Sequence, residues 1–199
     1  MRRVLFFGVL ILLVLSLAAC DDNNSDLEMN TVTNAKLTER EEIILSSTAN
    51  QSFVFDFNVE DNYKEVTVWV EKYESGNLVG EVTRISTEIN KMGMLIFSTS
   101  HTAEESDQTL FTVSINSDGT TGTGSSSETI IKNNSGIVSG SNPLGSISIK
   151  DKMVLADICY SSSKEEVHTL STDFYTDMDN HIDELKKYDV AYLLRSEFK

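Results

Sequence analysis

SFVFDFNVE, residues 52–60, is the stretch that decides the fold, together with EVTVWVEKY, residues 65–73. In both stretches an apolar residue recurs at every second position. The recurring side chains are Phe53, Phe55, Phe57 and Val59 in the first, and Val66, Val68 and Val70 in the second. Successive side chains of a β-strand point to opposite faces, so a period of two predicts a strand with one buried face. We therefore expect two half-buried strands here.

Strands of the same kind are predicted along most of the chain. Apolar alternation or short apolar runs predict seven more, at residues 78–85, 92–100, 108–116, 128–132, 146–150, 152–160 and 189–198. The segment at 92–100 is apolar on both faces at its centre, which suits a central strand. NSDGTTGTGSSSE, residues 116–128, is rich in Gly, Ser and Thr and contains no aliphatic residue, so we expect a mobile loop there.

Two short helices are predicted, one near each end of this region. Thr38 and Glu41 have the spacing of a capping box, which indicates a helix over about 39–47. In the tail, Met178, Ile182 and Leu185 recur at helical spacing and form one apolar face. Together with the strands, these helices predict a mainly β, two-layer antiparallel β-sandwich-like domain over residues 37–199, with a short N-terminal helix and one C-terminal amphipathic helix.

The first residues differ in composition from everything that follows. Arg2 and Arg3 precede VLFFGVLILLVL, residues 4–15, and an acidic segment comes after it. A helix that spans a bilayer needs roughly 20 apolar residues. Because this run is shorter and its downstream flank is acidic, it is typical of a secretory signal peptide, which we place at residues 1–19.

Leu17, Ala18, Ala19 and Cys20 follow the apolar run directly. This order resembles the lipobox of bacterial lipoproteins: a Leu, two small residues and a Cys. The resemblance covers only the first twenty residues. It implies that Cys20 becomes the mature N-terminus and carries a thioether-linked diacylglycerol, with further acylation such as palmitate. One acyl chain holds a protein only marginally, whereas two or more give stable attachment to the outer face of the cell membrane. Ordinary secretion with an incidental cysteine is the alternative.

Residues 20–36 are polar and contain few large apolar groups. Such a segment buries too little surface to offset its ordering entropy, so we expect a flexible tether between the lipidated cysteine and the domain. Removal of the signal peptide leaves 14 basic and 31 acidic residues, a net charge of −17. A surface of this charge repels nucleic acid, whose binding depends on Lys and Arg contacts to phosphate, so nucleic acid is not expected as a partner.

Cysteine usage and motif content indicate no cofactor. With Cys20 lipidated, Cys159 is the remaining cysteine, and an intramolecular disulfide is excluded. Cys159 lies in the apolar run MVLADICY, residues 153–160, which predicts a buried, inert side chain more readily than a catalytic thiol. The sequence contains no motif that identifies an enzyme.

Two groups of residues are candidates for a site. Asp177 and His181 lie four residues apart on the predicted C-terminal helix, and a carboxylate with an imidazole could bind a divalent metal ion. However, the HExxH and EF-hand patterns are absent, and acidic residues in a first helical turn are stabilised by the helix dipole, so a solvated helix face is the favoured interpretation. Trp69 and Tyr73 share one face of the second strand. Exposed, they would suit a sugar or a peptide; the alternative is that this face packs against a helix or the second sheet.

These observations predict a membrane-anchored extracytoplasmic lipoprotein that acts as a non-catalytic binding module at the cell envelope. Its partner would be an envelope protein, a peptide or a glycan. The alternatives are a metal-assisted hydrolase that uses Asp177 and His181, and an inhibitory or structural envelope protein that adds a strand at a sheet edge.

Overall fold

The computed structural model describes residues 28–101, 108–130, 136–162 and 168–199, with His101 described by its backbone alone. The predicted signal peptide, Cys20 and most of the predicted tether lie outside these ranges. The strands are β1 Thr31–Asn34, β2 Gln51–Asn58, β3 Glu65–Glu74, β4 Asn77–Glu88, β5 Met92–His101, β6 Gln108–Ser117, β7 Thr120–Thr129, β8 Gly136–Ser141, β9 Ile147–Ser148, β10 Met153–Ser161 and β11 Val190–Phe198. The helices are α1 Glu39–Thr48, α2 Thr172–Thr176 and α3 Met178–His181, followed by a 3₁₀ helix, Ile182–Lys187.

The strands form two antiparallel sheets. The first sheet has six strands in the order β7-β6-β5-β2-β1-β9, and the second has five in the order β4-β3-β11-β10-β8. The predicted β-sandwich-like fold is therefore confirmed, and the segment predicted as a central strand is β5, inside the first sheet. None of the helices within the described ranges has the length and apolarity needed to cross a membrane.

The main core lies between the two sheets. It is built from the alternating apolar side chains that the sequence predicted, including Phe55 and Phe57 of β2 and Val66, Val68 and Val70 of β3. Aromatic rings from both sheets meet inside it: the centroids of Phe111 and Tyr192 are 4.4 Å apart. Burial of this apolar surface is the main stabilising contribution to the fold.

A second, smaller core covers the outer face of the five-stranded sheet. Residues 170–188, which include α2, α3 and the 3₁₀ helix, pack Phe174 and Leu185 onto this face. Met178 and Ile182 lie at the margin of the same cluster, so the predicted apolar face of the C-terminal helix is confirmed. The helix is not continuous. Thr176 ends α2, and α3 starts after Asp177, whose side chain makes no capping hydrogen bond.

The N-terminal boundary of the domain differs from the prediction. We expected residues 20–36 to be a tether, but Thr31–Asn34 form β1, which pairs with both β2 and β9. Val32 is fully buried in the main core. A four-residue strand is too short to show a convincing period of two, which explains the incorrect boundary.

The predicted loop at residues 116–128 is mostly strand β7. Its glycines are required by packing, since β4 of the other sheet passes closely over it. A Cβ atom on Gly122 would lie 2.8 Å from Thr87 Oγ1 and 3.0 Å from Ile85 Cδ1. The Gly-rich composition therefore reflects a close approach between the two sheets. By contrast, the capping box of α1 is confirmed, because Thr38 and Glu41 each bond the other's backbone N–H, at 2.7 and 3.4 Å.

Candidate functional site

The outer face of the five-stranded sheet carries the most concentrated polar chemistry in the described residues. Trp69, Glu71 and Tyr73 alternate along β3, so they share this face. Arg195 of β11 lies directly opposite Trp69 in the strand register. We call these four residues the Glu71 cluster.

Glu71 is the centre of this cluster and binds three side chains. Trp69 Nε1–H donates to Glu71 Oε1 at 2.9 Å, and the Tyr73 hydroxyl donates to Oε2 at 2.9 Å. Arg195 Nη1 also donates to Glu71 Oε2, at 2.9 Å, which makes a largely buried ion pair. Arg195 Nε also donates a hydrogen bond, at 3.2 Å, to the carbonyl oxygen of Met153. Burial and the nearby Glu71 carboxylate raise the pKa of Tyr73, so its hydroxyl stays protonated as a donor.

The Glu71 cluster corrects the prediction that Trp69 and Tyr73 form an exposed binding surface. Trp69 is 1% exposed and Tyr73 is 5% exposed. The guanidinium carbons of Arg84 and Arg195 lie 4.5 and 5.9 Å from the centroid of the Trp69 ring. The prediction that Trp69 and Tyr73 share one face of the strand was right, and the alternative that this face is packed against other residues is confirmed. What the sequence did not reveal is that residues 170–188 lie over this face.

A second polar group, the Asp157 cluster, lies on the same sheet face and consists of Asp157, Cys159 and Tyr175. The Tyr175 hydroxyl, from α2, donates to Asp157 Oδ1, and Cys159 Sγ donates to Oδ2 at 3.5 Å. Gly140 of β8 lies opposite Asp157 in the register. A Cβ atom on Gly140 would lie 3.2 Å from the Tyr175 hydroxyl oxygen, so the glycine leaves room for this contact.

The protonation states of the Asp157 cluster follow from burial. Burial raises the pKa of Asp157 to about 6, although the hydrogen bonds from Tyr175 and Cys159 act in the opposite direction. Burial, followed by the nearby Asp157 charge, raises the pKa of Cys159. The thiol is therefore protonated and enclosed, which is the opposite of what a nucleophilic cysteine requires. The predicted burial of Cys159 is confirmed.

A small cavity of about 200 Å³ adjoins both clusters. It is lined by Tyr175 of the Asp157 cluster and by Met178, whose sulfur lies 3.0 Å from Arg195 Nη1. Lys150 and Lys152 also line it. The cavity is smaller than the roughly 300–1,000 Å³ typical of sites for drug-sized ligands.

Asp177 and His181 are not brought together with other metal ligands. His181 Nδ1 lies 3.7 Å from Glu184 Oε1, and Asp177 Oδ2 accepts a hydrogen bond from Asn180 at 2.7 Å. Within the ranges that the structure describes, no three His, Cys, Asp or Glu side chains are grouped as metal ligands would be. The metal hypothesis required at least two further donors beside His181, so the described geometry contradicts it.

Sequence reasoning missed Asp157, Tyr175 and Arg195. The signal that could have found two of them is a single charged residue inside an apolar stretch: Asp157 in MVLADICY and Arg195 in AYLLRS. A charge at such a position needs a buried partner or a shifted pKa. Cys20 lies outside the described residues, so its predicted role is untested by the geometry.

Comparison with known proteins identifies one family. The family model described as YgaN domain matches residues 31–198, nearly the whole of the folded region and including β1. No curated protein shows a significant similarity to this chain. No solved structure shows one either.

Proposed function

The chain belongs to the YgaN domain family, and we propose that it is a lipid-anchored binding module on the outer face of the cell membrane. In this proposal the diacylglycerol on Cys20 holds the protein at the membrane, and the β-sandwich binds another envelope component without catalysing a reaction.

The observation that carries the proposal is the leader. Two arginines, an apolar run of twelve residues and Leu17-Ala18-Ala19-Cys20 occur in the order found in lipoprotein precursors. The acidic composition after Cys20 is compatible with an extracytoplasmic domain that remains clear of anionic headgroups.

The position of the folded domain adds a distance to this proposal. Described structure starts at Glu28, eight residues after Cys20. Eight extended residues span at most about 29 Å. A domain attached through Cys20 would therefore remain within about 29 Å of the lipid surface, and it would meet partners in the same membrane or in the adjacent wall.

The chemistry of the outer sheet face favours binding over catalysis. The Cys159 thiol is enclosed and protonated, and Asp157 is fully buried beneath Tyr175. Glu71 and Arg195 neutralise each other. These side chains stabilise the attachment of residues 170–188 to the sheet, and a rigid scaffold of this kind suits recognition through its strand edges and loops.

The proposal is tested by metabolic labelling with an alkyne-bearing palmitate, followed by membrane fractionation and mass spectrometry of the N-terminal peptide. We expect label on the wild-type chain, a mature N-terminus at Cys20, and loss of both label and membrane attachment in Cys20→Ser. This follows because the thioether can form only on a thiol.

Cys159→Ala is the matched control, since it removes the other cysteine of the chain. It should keep full labelling and membrane attachment. Recovery of an unprocessed or acyl-free N-terminus from wild-type cells would refute the anchor.

A further inference from the structure

The two sheets have four terminal strands, β7, β9, β4 and β8, and these differ in how open they are to pairing. β9 has two residues and β8 has six. β4 is longer, but its pairing with β3 has two register shifts, and it carries the Glu81–Arg84 ion pair, with 2.6 Å between Oε1 and Nη2. Short length, irregularity and charge are common protections against edge-to-edge pairing.

β7 has neither a short length nor an irregular pairing, and it carries little charge. Its ten residues pair with β6 without a register shift, and it contains neither proline nor lysine. Its single charged residue, Glu128, binds Lys72 Nζ of β3 at 3.1 Å. In the part of the chain that the structure describes, no strand pairs with the other edge of β7.

The outward face beside this edge is uncharged. The thirty residues of β5, β6 and β7 contain one Asp, Glu, Lys or Arg, which is Glu128, in a chain that is 24% charged. Hydroxyl and amide side chains of β6 and β7 bond across this face: Thr112 with Ser125 at 3.1 Å, Ser114 with Thr123 at 2.9 Å, and Asn116 with Thr121 at 2.7 Å.

We propose that the free edge of β7 pairs antiparallel with β7 of a second copy, so that two six-stranded sheets join across a two-fold axis. Opposed residues of an antiparallel pair point to the same face. A two-fold axis at Ser125 places residues of the outward face opposite one another: Thr123 of one copy lies opposite Ser127 of the other, and Thr121 lies opposite Thr129. The hydroxyl ladder of β6 and β7 then continues into the partner. Each Glu128 lies opposite Gly122 of the second copy, so the two Glu128 carboxylates stay apart.

Charge favours a second copy as the occupant of this edge. The chain has a net charge of −15, so most of its surface repels a copy of itself. Exposed charges more than about 8 Å apart are largely screened at physiological ionic strength. Among the described strands, β5–β7 therefore form a continuous surface of low charge where two copies can approach. This inference rests on the proposed function in one respect, because attachment to one membrane would raise the local concentration of copies.

The first test is analytical ultracentrifugation of the processed chain, residues 20–199, made without lipid as Cys20→Ser. We expect a reversible dimer of the reference protein over micromolar to submillimolar concentrations. The edge variant is Thr123→Lys with Ser125→Lys, and the control is Ser114→Lys with Thr112→Lys. Both variants remove the same two hydroxyl contacts and add the same charge, but only the first lies on the edge.

The edge variant should raise the dimer dissociation constant at least about tenfold, while the control changes it by less than about threefold. Circular dichroism confirms that each variant is folded. A reference protein that stays monomeric, a dimer that survives the edge substitutions, or a dimer weakened equally by both variants would overturn the proposal. Failure of palmitate labelling leaves this result unchanged, so the two proposals fail separately.

Disulfide crosslinking in intact membranes gives a second measurement that does not depend on the lysine variants. Ser125→Cys lies on the proposed axis, so mild oxidation should produce a covalent homodimer of the full chain. Ser114→Cys, one strand further in, should not crosslink. A Ser125→Cys chain that crosslinks to a different polypeptide would show that another protein occupies the edge, and this too would overturn pairing with a second copy.

Discussion

At the scale of single residues, the outer face of the five-stranded sheet accommodates two buried charged side chains in different ways. Arg195 forms an ion pair with Glu71 and donates a hydrogen bond to the Met153 carbonyl. Asp157 accepts hydrogen bonds only from neutral donors, Tyr175 and Cys159. A buried carboxylate without a cation is stabilised by taking up a proton. Asp157 therefore makes stability depend on pH.

Asp157→Asn tests this difference. The pKa of Asp157 rises from 3.8 to about 6 on folding, so the folded state holds the proton more tightly. The resulting stabilisation is fully present only well below pH 4 and is lost as the pH rises through about 6, at a cost of about 3 kcal/mol over the whole titration. We expect the wild-type free energy of unfolding in urea to fall over this interval, and the fall to be smaller by that amount in Asp157→Asn.

Asp183→Asn is the control for this prediction, because Asp183 is an exposed carboxylate in an ion pair with Lys186. It should keep the wild-type pH dependence. Equal pH dependence of wild type and Asp157→Asn between pH 4 and 6 would contradict the assignment.

The residue scale also shows the limit of sequence reasoning about this face. The alternation in EVTVWVEKY correctly placed Trp69 and Tyr73 together on the face opposite Val68. Whether that face meets solvent depends on residues 170–188, more than ninety positions later. No local pattern encodes that contact, so exposure was wrongly included in the binding hypothesis.

At the scale of elements, the Gly-rich composition of β7 led to the wrong prediction of a loop, because packing against the distant strand β4 requires these glycines. Gly122 and Gly124 resemble loop residues, but they face Ile85 and Thr83 of β4. Larger side chains there would separate the sheets. By contrast, the bounds of β2 and β6 were predicted to within about two residues. In these strands apolar side chains that face the core alternate with polar ones on the other face.

Gly122→Ala should therefore destabilise the protein, although alanine is normally no worse than glycine in a strand. The added methyl would lie 2.8 Å from Thr87 Oγ1, so the Thr87 side chain or one of the two strands must shift. We expect a loss of about 1–3 kcal/mol in the free energy of unfolding, as found for overpacked cores.

Gly145→Ala is the matched control, because a Cβ atom at Gly145 meets no described atom within 4 Å. Its free energy of unfolding should stay within about 0.5 kcal/mol of wild type. If the two substitutions have the same effect, the glycines of β7 do not reflect the approach of β4.

At the scale of the whole molecule, the N-terminal strand β1 is part of the fold. The period-two strands were sufficient to predict two antiparallel layers, but the sheet order was not predictable, since it depends on pairings between distant segments. β1 lies between β2 and β9, and Asn34 Nδ2 donates to the Asn142 carbonyl at 3.0 Å. The segment predicted as a tether therefore contributes to both the core and the loop after β8.

Two truncations separate tether from domain. A chain starting at residue 28 retains β1, whereas one starting at residue 37, the predicted boundary, lacks it. Removing β1 exposes Phe57 and Ile147 beside the lost Val32, and it leaves β9 without its pairing partner. Burial of one valine side chain alone contributes about 1.5–3 kcal/mol.

We expect chain 28–199 to match the unlipidated chain 20–199 in its free energy of unfolding in urea. Chain 37–199 should lose at least about 3 kcal/mol or fail to fold. If chain 37–199 is as stable as the longer chains, β1 is dispensable and the domain begins where the sequence predicted.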